Sequence, residues 1–497
     1  MSSLKPTVSG LLRPHPPGSP GSSVFDLPIQ VPATTTRQPT PLPRESLPQV
    51  HTEVNVSDSS PSCVVISGGT GGNAICAAFG GAQAHYVLPV SDDGGSSSEI
   101  IRVLGGPSIG DIRSRLVRLI PAASADSPLE AIRRLLAHRL PTRCSEREAR
   151  DEWRDIVEGR SGLWIGIPGD RKETIRGFLV YFESELLKRA HKNFSFLNGS
   201  IGNYFLAAAQ GFFRSLPSAI FLFSSITNSQ ATILPVIVTN HTVTIAAELE
   251  NGAKLVGQCE ISHPVTQPDM PSINVTSSGP WSPVADGMDG GGPVAFKQNV
   301  MFEAGDKDHY VPLPARISRL YYINAYGHEV HPAPNPDFIA SLAASQVLVY
   351  SCGSLWTSIM PCLAVRGVAT AIARSRSLRT KVLLLNASND RETDGYSAAD
   401  YIRVIERTLN SRYHTPQLGL GSAETIYPVS AFITDLVYLE DSHVNVNVKE
   451  ITAMGVRCTQ VQGERSADDG GGLPKFDAAT VRQVIDRLLA QQTSYQA

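Results

Sequence analysis

Residues 63–73 read Cys63-Val64-Val65-Ile66-Ser67-Gly68-Gly69-Thr70-Gly71-Gly72-Asn73. The opening apolar run, mostly β-branched, spells a strand buried on both faces. It breaks into glycines and then small residues, the pattern of a tight strand-to-helix turn. Such a turn presents bare backbone N–H groups at a helix start, where an anion is favoured. A second apolar run, Tyr86-Val87-Leu88-Pro89-Val90, ends in Ser91-Asp92-Asp93-Gly94-Gly95-Ser96-Ser97. Two carboxylates therefore fall at the end of the next strand. This alternation predicts an α/β fold: a Rossmann-like, doubly wound, mostly parallel sheet with helical and loop insertions. It also points to a nucleotide or diphosphate ligand held with a divalent cation, Mg²⁺ being the expected one.

The chain has 497 residues, 42% apolar and 18% charged, with a net charge of −3. No basic excess suggests a nucleic-acid partner. No apolar run reaches the ~20 residues of a membrane helix, so no membrane partner is expected. The cysteines Cys63, Cys76, Cys144, Cys259, Cys352, Cys362 and Cys458 form no CxxC pair. They read as buried thiols of a reducing compartment, and the N-terminus lacks an apolar signal region, so a cytoplasmic location is expected. Residues 1–61, rich in Pro, Ser and Thr, read as a disordered tail. Residues 62–497 read as one nucleotide-binding α/β domain, with 263–312 a Pro-, Gly- and Ser-rich loop insertion. Homo-oligomerisation is left open.

Periodicity predicts helices near 72–79, 98–104, 111–119, 172–190, 202–214 and 218–226, others within 129–158, then 365–374, 397–409 and 477–490. Strands are expected at 63–67, 85–90, 234–238, 242–246, 254–260, 317–323, 346–350, 381–385 and 445–448.

Gly69-Thr70-Gly71-Gly72-Asn73-Ala74 fits G-x-G-x-x-A, with Asp92 about twenty residues on, a dinucleotide fingerprint. It lacks the Lys-Ser/Thr of a P-loop, and a ligand-free turn is the plain alternative. Asp92 and Asp93 suit Mg²⁺ binding or proton removal from an attacking hydroxyl. Ser96, Ser97 and the N–H groups of Gly68, Gly69 and Gly71 suit phosphate oxygens. Asp111 reads either as a helix N-cap with Arg113 exposed, or as part of a phosphate contact with Arg113 pointed at phosphate. Asn203 reads as a helix-opening residue or a ligand contact. Gly353, Ser354 and Thr357 follow another buried strand and suit a pocket wall. Tyr396 suits stacking on a base or plain packing. The histidines show no zinc spacing and no G-x-S-x-G elbow occurs, which disfavours a zinc site and an α/β-hydrolase.

Taken in order, Val65–Gly71, Ser91–Ser97, Gly110-Asp111-Ile112-Arg113, Ile201-Gly202-Asn203, Gly353–Ile359 and Glu392-Thr393-Asp394-Gly395-Tyr396 resemble one family. It holds the 2-phospho-L-lactate transferases (CofD) and the YvcK-type gluconeogenesis factors. The resemblance spans residues 62–410, more weakly to 460. It implies a Rossmann-like fold and a nucleoside diphosphate-linked ligand of GDP or UDP type, its site lined by Gly69, Thr70, Gly71, Asp92, Asp93, Ser96, Ser97, Asn203, Gly353 and Ser354. One branch implies an enzyme that moves a phosphoryl-linked group from a GDP-linked donor to a hydroxyl acceptor, with Mg²⁺. The other implies a non-catalytic regulator that binds UDP-sugars. An NAD-dependent oxidoreductase is a third reading, which no paired catalytic His or Tyr-x-x-x-Lys supports.

Overall fold

The structure, a computed structural model, describes residues 61–69, 71–80, 83–263, 311–324, 326–411, 426–465 and 472–494. Thr70, nearly all of the 1–61 tail and residues 264–310 of the expected 263–312 insertion lie outside the described residues. The described residues form one compact unit.

The first strands are β1 (Cys63–Ile66), β2 (Ala84–Leu88) and β3 (Thr232–Pro235). Next come β4 (Thr244–Leu249), β5 (Lys254–Val256), β6 (Ile317–Ile323) and β7 (Glu329–Val330). The last four are β8 (Val347–Tyr350), β9 (Thr380–Leu384), β10 (Asp435–Leu439) and β11 (Arg457–Val461). Seven of these make one sheet in the order β11-β10-β9-β8-β1-β2-β3. Every pairing in it is parallel. Val64, Val65 and Ile66 at its centre are fully buried, as a sheet covered on both faces requires.

From β1 the chain steps outward to β2 and β3, then returns to β8 on the other side and steps away through β9, β10 and β11. Right-handed crossovers put the connecting helices of these two runs on opposite faces. The order reverses between β1 and β8, so the crevice for a ligand opens at their C-terminal ends. The strands β5-β4-β6-β7 form a separate antiparallel sheet.

Seven α-helices fill the β2–β3 connection. They are α1 (Gly95–Leu104), α2 (Gly110–Arg118), α3 (Pro128–Ala137), α4 (Glu146–Val157), α5 (Gly169–Leu187), α6 (Ile201–Phe213) and α7 (Leu216–Thr227). Local chemistry sets their starts: Ser145 and Glu148 close a capping box on α4, and Ser200 accepts the Asn203 N–H of α6. Their cores meet in an aromatic cluster, with Trp153 stacked on Phe196 and Phe182 on Tyr204. No single helix among the described residues is long and apolar enough to cross a membrane.

Some expected elements differ. Residues 72–79 form two short 3-10 turns, Gly71–Asn73 and Cys76–Phe79, because small side chains supply too little apolar face for a full helix. Gln258–Ser262 is helical, cutting short the strand expected at 254–260. The 445–448 strand is absent; Val448–Ala453 is a helix. Strands β10 and β11 went unpredicted: β11 is a half-exposed edge whose alternation carries little apolar signal.

Candidate functional site

The β1 and β8 loops meet tightly at the reversal point. A Cβ on Gly71 would lie 2.8 Å from both the Cys352 carbonyl oxygen and the Gly353 Cα. Both neighbours are backbone, so the space cannot open by a rotamer change. A Cβ on Gly69 would lie within van der Waals overlap of Asp111 Oδ1, and one on Gly68 of Ser358 Oγ. The glycines are there for close approach.

The β2 loop supplies acids that part company. Asp93 turns toward the small sheet: its Oδ1 accepts the Cys259 N–H at 2.8 Å, and Gly257 packs against its Oδ2. Asp92 turns the other way, accepts the Gly94 N–H at 3.0 Å, and lies against Gly110 beside Ser97. The partner of Asp92 is therefore Asp111, on the first turn of α2, which accepts the Gly69 N–H. Asp111 is not the N-cap; that position is Ile109, with no side-chain cap.

Asp92 and Asp111 sit at the bottom of the crevice, crowded by protein yet still touched by solvent. Desolvation, then the Asp111 charge, pushes Asp92 up to about 8. Desolvation raises Asp111 to about 6, against the pull of the Gly69 N–H, Arg115 and Arg113. Each carboxyl makes ionisation of the other harder, and a cation between them would relieve that cost. Oxygen donors of this kind fit Mg²⁺, which takes one or two carboxylates and completes its shell with water and phosphate. Among the described residues no group of three or more His, Cys, Asp or Glu gathers as a metal cage.

Arg113 is 9% exposed; its Nε donates to Asn203 Oδ1 at 2.9 Å, and Asn203 Nδ2 donates to Ser96 Oγ at 2.8 Å. Arg113 is therefore not the exposed residue of the plain N-cap reading. Burial, and the like charge of Arg139, lower it to about 10. Ser96, Ser97, Asp111, Arg113 and Asn203 are thus brought together beside Asp92.

On the β8 side, Asn386 clasps Gly353 with both amide atoms: it accepts the Gly353 N–H at 2.9 Å and donates to the Gly353 carbonyl at 2.6 Å. Glu392 accepts the N–H groups of Trp356 and Thr357 at 3.0 and 3.1 Å and the Thr357 hydroxyl at 2.7 Å. Burial, then Asp390, pushes Glu392 up to about 8. Thr357 is consumed by this clamp, with its Oγ1 also 2.9 Å from Ser354 Oγ. Tyr396 is buried, takes a hydrogen bond from the Trp356 indole at 3.3 Å and carries Arg316 over its ring. It packs; it does not face the crevice as a stacking platform. Thr70 lies outside the described residues.

Two residues were missed as site members. Glu392 stood in a quoted motif without a role. Arg115 lies on the inner stripe of α2 with Ile112 and Leu116, and a charge on an apolar stripe was the available signal.

A family model for 2-phospho-L-lactate transferase CofD matches residues 63–462. An uncharacterised Saccharomyces cerevisiae protein, YNL011C, is 34% identical over 431 residues, covering 80% of this chain and 94% of the relative. A putative gluconeogenesis factor of Clostridium acetobutylicum is 23% identical over 51% of this chain and 45% of its own length. The match thus spans about half the length of that bacterial relative. A gluconeogenesis factor of Listeria monocytogenes is 28% identical over 32% of this chain and 47% of its own length. Two crystal structures of a Bacillus halodurans protein, described as a member of the UPF0052 family, share the fold. Their TM-scores are 0.54 and 0.53, their identities 19% and 18%, and they cover 86% of this chain and 99% and 98% of theirs. From β1 through β11 the sheet, the glycine turn and the carboxyls of Asp92 and Asp111 lie within the matched span: this chain belongs to the CofD family.

Proposed function

We propose that this chain is a CofD-like transferase that binds a nucleoside diphosphate-linked donor with Mg²⁺ and passes a phosphoryl-linked group to a hydroxyl acceptor. The observation that carries this reading is the placing of two carboxyls, Asp92 against Gly110 and Asp111 against Gly69, at the glycine turn by the sheet's reversal point. Asp92 and Asp111 would hold Mg²⁺, which when bound neutralises diphosphate charge in phosphoryl chemistry. Arg113, held by Asn203, adds positive charge close to Asp111, which suits an anionic ligand there. Ser96 orients Asn203, so it acts through that side chain. Asp93 holds the Gly257–Ser262 segment against the β2 loop, which makes it a wall of the crevice. Positioning and charge neutralisation supply the rate in such reactions, and this rigid set of partners supports both.

A second reading, a UDP-sugar-binding regulator without catalysis, draws support from the relatives named gluconeogenesis factor. Thermal denaturation of the full chain separates the two. GDP with Mg²⁺ at a hundred times its Kd should stabilise by about 2.7 kcal/mol. Stabilisation by UDP-N-acetylglucosamine alone, with no response to GDP, would favour the regulator and reject the transferase.

A further inference from the structure

Arg115 is fully buried in the face of α2 that lies behind the glycine turn. Its Nη2 donates to Ser67 Oγ at 2.9 Å and to the Gly68 carbonyl at 3.0 Å. Its Nη1 donates to Cys76 Sγ at 2.9 Å, and its guanidinium lies 4.8 Å from the centroid of the Tyr86 ring. Its Nε is buried without a hydrogen-bond partner. Among the described residues no carboxylate forms an ion pair with it. A guanidinium hydrogen-bonded to neutral acceptors in the interior is costly; the Asp111 carboxyl, on the crevice side of the turn, feels its charge without closing an ion pair. A cation kept at that cost calls for an anion, and the crevice on the other side of the turn is where one would sit.

The peptide geometry gives the link. A trans peptide is planar, with its C=O and N–H pointing in opposite directions. Arg115 draws the Gly68 carbonyl inward, so the Gly69 N–H must point outward into the crevice, where the Asp111 carboxylate meets it. Gly72 closes over the same guanidinium: a Cβ there would lie 2.6 Å from Nη2. Arg115 thus touches the turn at both ends without reaching the crevice.

We propose that Arg115 is a positioning residue for the diphosphate: it orients the Gly69 N–H and places a buried positive charge behind the turn, tuning the site to ligands of high negative charge. This rests on the nucleotide reading above for the ligand, but not for the anion preference itself.

Calorimetric titration of the full chain with GDP, GMP and inorganic pyrophosphate, each with Mg²⁺, tests it. Arg115→Met should weaken GDP and pyrophosphate at least tenfold and GMP by less than threefold. Arg115→Lys, which keeps the charge but not the fork of donors, should fall between wild type and Arg115→Met. Equal losses for all three ligands would mark a merely structural role, and unchanged GDP affinity would remove any role; either overturns the inference and leaves the nucleotide reading standing. If wild type ignores GDP but binds pyrophosphate in an Arg115-dependent way, the nucleotide reading fails and the inference holds. Should Arg115→Met not fold, Arg115→Lys decides: a loss of at least threefold for GDP with GMP unchanged supports it, and parallel losses reject it.

Discussion

At the scale of single residues, the crevice is governed by charge held out of water. The carboxyls of Asp92 and Asp111 bind their protons more tightly in the folded chain than in the unfolded one, where the ordinary value is 3.8. Their contribution to stability is therefore fully present below about pH 4, and it is lost as pH rises through the folded values near 6 and 8. In the presence of a chelator, the melting temperature should fall from pH 5 to pH 8.5. Asp92→Asn, which removes the ionisable group at nearly constant shape, should flatten that slope and raise the melting temperature at pH 8.5. A slope unchanged by the substitution would mean that Asp92 is well solvated. On the proposed function, the sign should reverse with Mg²⁺ and nucleotide, because a cation binding these carboxylates competes with protons and its affinity would rise with pH. Asp92→Asn should then reduce Mg²⁺-dependent nucleotide affinity by about tenfold or more, a loss in the range seen when metal-site partners are removed. Asp93→Asn should leave cation binding nearly intact, since Asp93 is committed to the Cys259 N–H.

At the scale of elements, two loops carry the site, and each is held by side chains distant in sequence. The turn from Ser354 to Ile359 opens with N–H groups anchored by Glu392, 35 or 36 residues away. Glu392→Ala leaves buried donors unsatisfied and should cost about 2–3 kcal/mol in denaturant unfolding. Glu392→Gln keeps an acceptor in place and should cost less than half as much. Gly71→Ala should be more damaging than its size suggests, because the methyl group meets the Cys352–Gly353 backbone. A penalty of about 1–3 kcal/mol is expected from overpacking alone, with nucleotide affinity lost as the two loops part. The elements themselves were legible where local pattern dominates. The 317–323 strand was read with its observed bounds, and the helices after Ser145, Ser200 and Ser397 begin at serine caps. The reading failed at 72–79 and at β11, where small or polar residues take their conformation from neighbours rather than from their own periodicity.

At the scale of the whole molecule, the C-terminal helix Ala478–Ser494 returns to the start of the fold. It buries Val481, Val484, Ile485 and Leu488, and Arg482 Nη1 donates to the Ala78 carbonyl at 3.3 Å. That contact braces the Cys76–Phe79 turn, whose Cys76 accepts from Arg115 behind the glycines. Burying four such side chains contributes about 6 kcal/mol or more, comparable with the whole stability of a typical domain. A chain ending at residue 476 should therefore fail to give a cooperative thermal transition; a sharp one near that of the full chain would show that the helix is dispensable.

Before any coordinates, the residues by themselves determined the α/β class, the glycine turn after β1 and the acidic end of β2. Each of these is written in contiguous sequence, where strand period and turn chemistry act over a few bonds. Only the tertiary structure decided that Asp92 pairs with Asp111 rather than Asp93, that Tyr396 packs inside, and that Arg115 and Glu392 brace the two loops. Those pairings join segments tens to hundreds of residues apart. Their energies come from desolvation and from the direction of individual peptide groups, quantities that exist only once the sheet has brought the strand ends together.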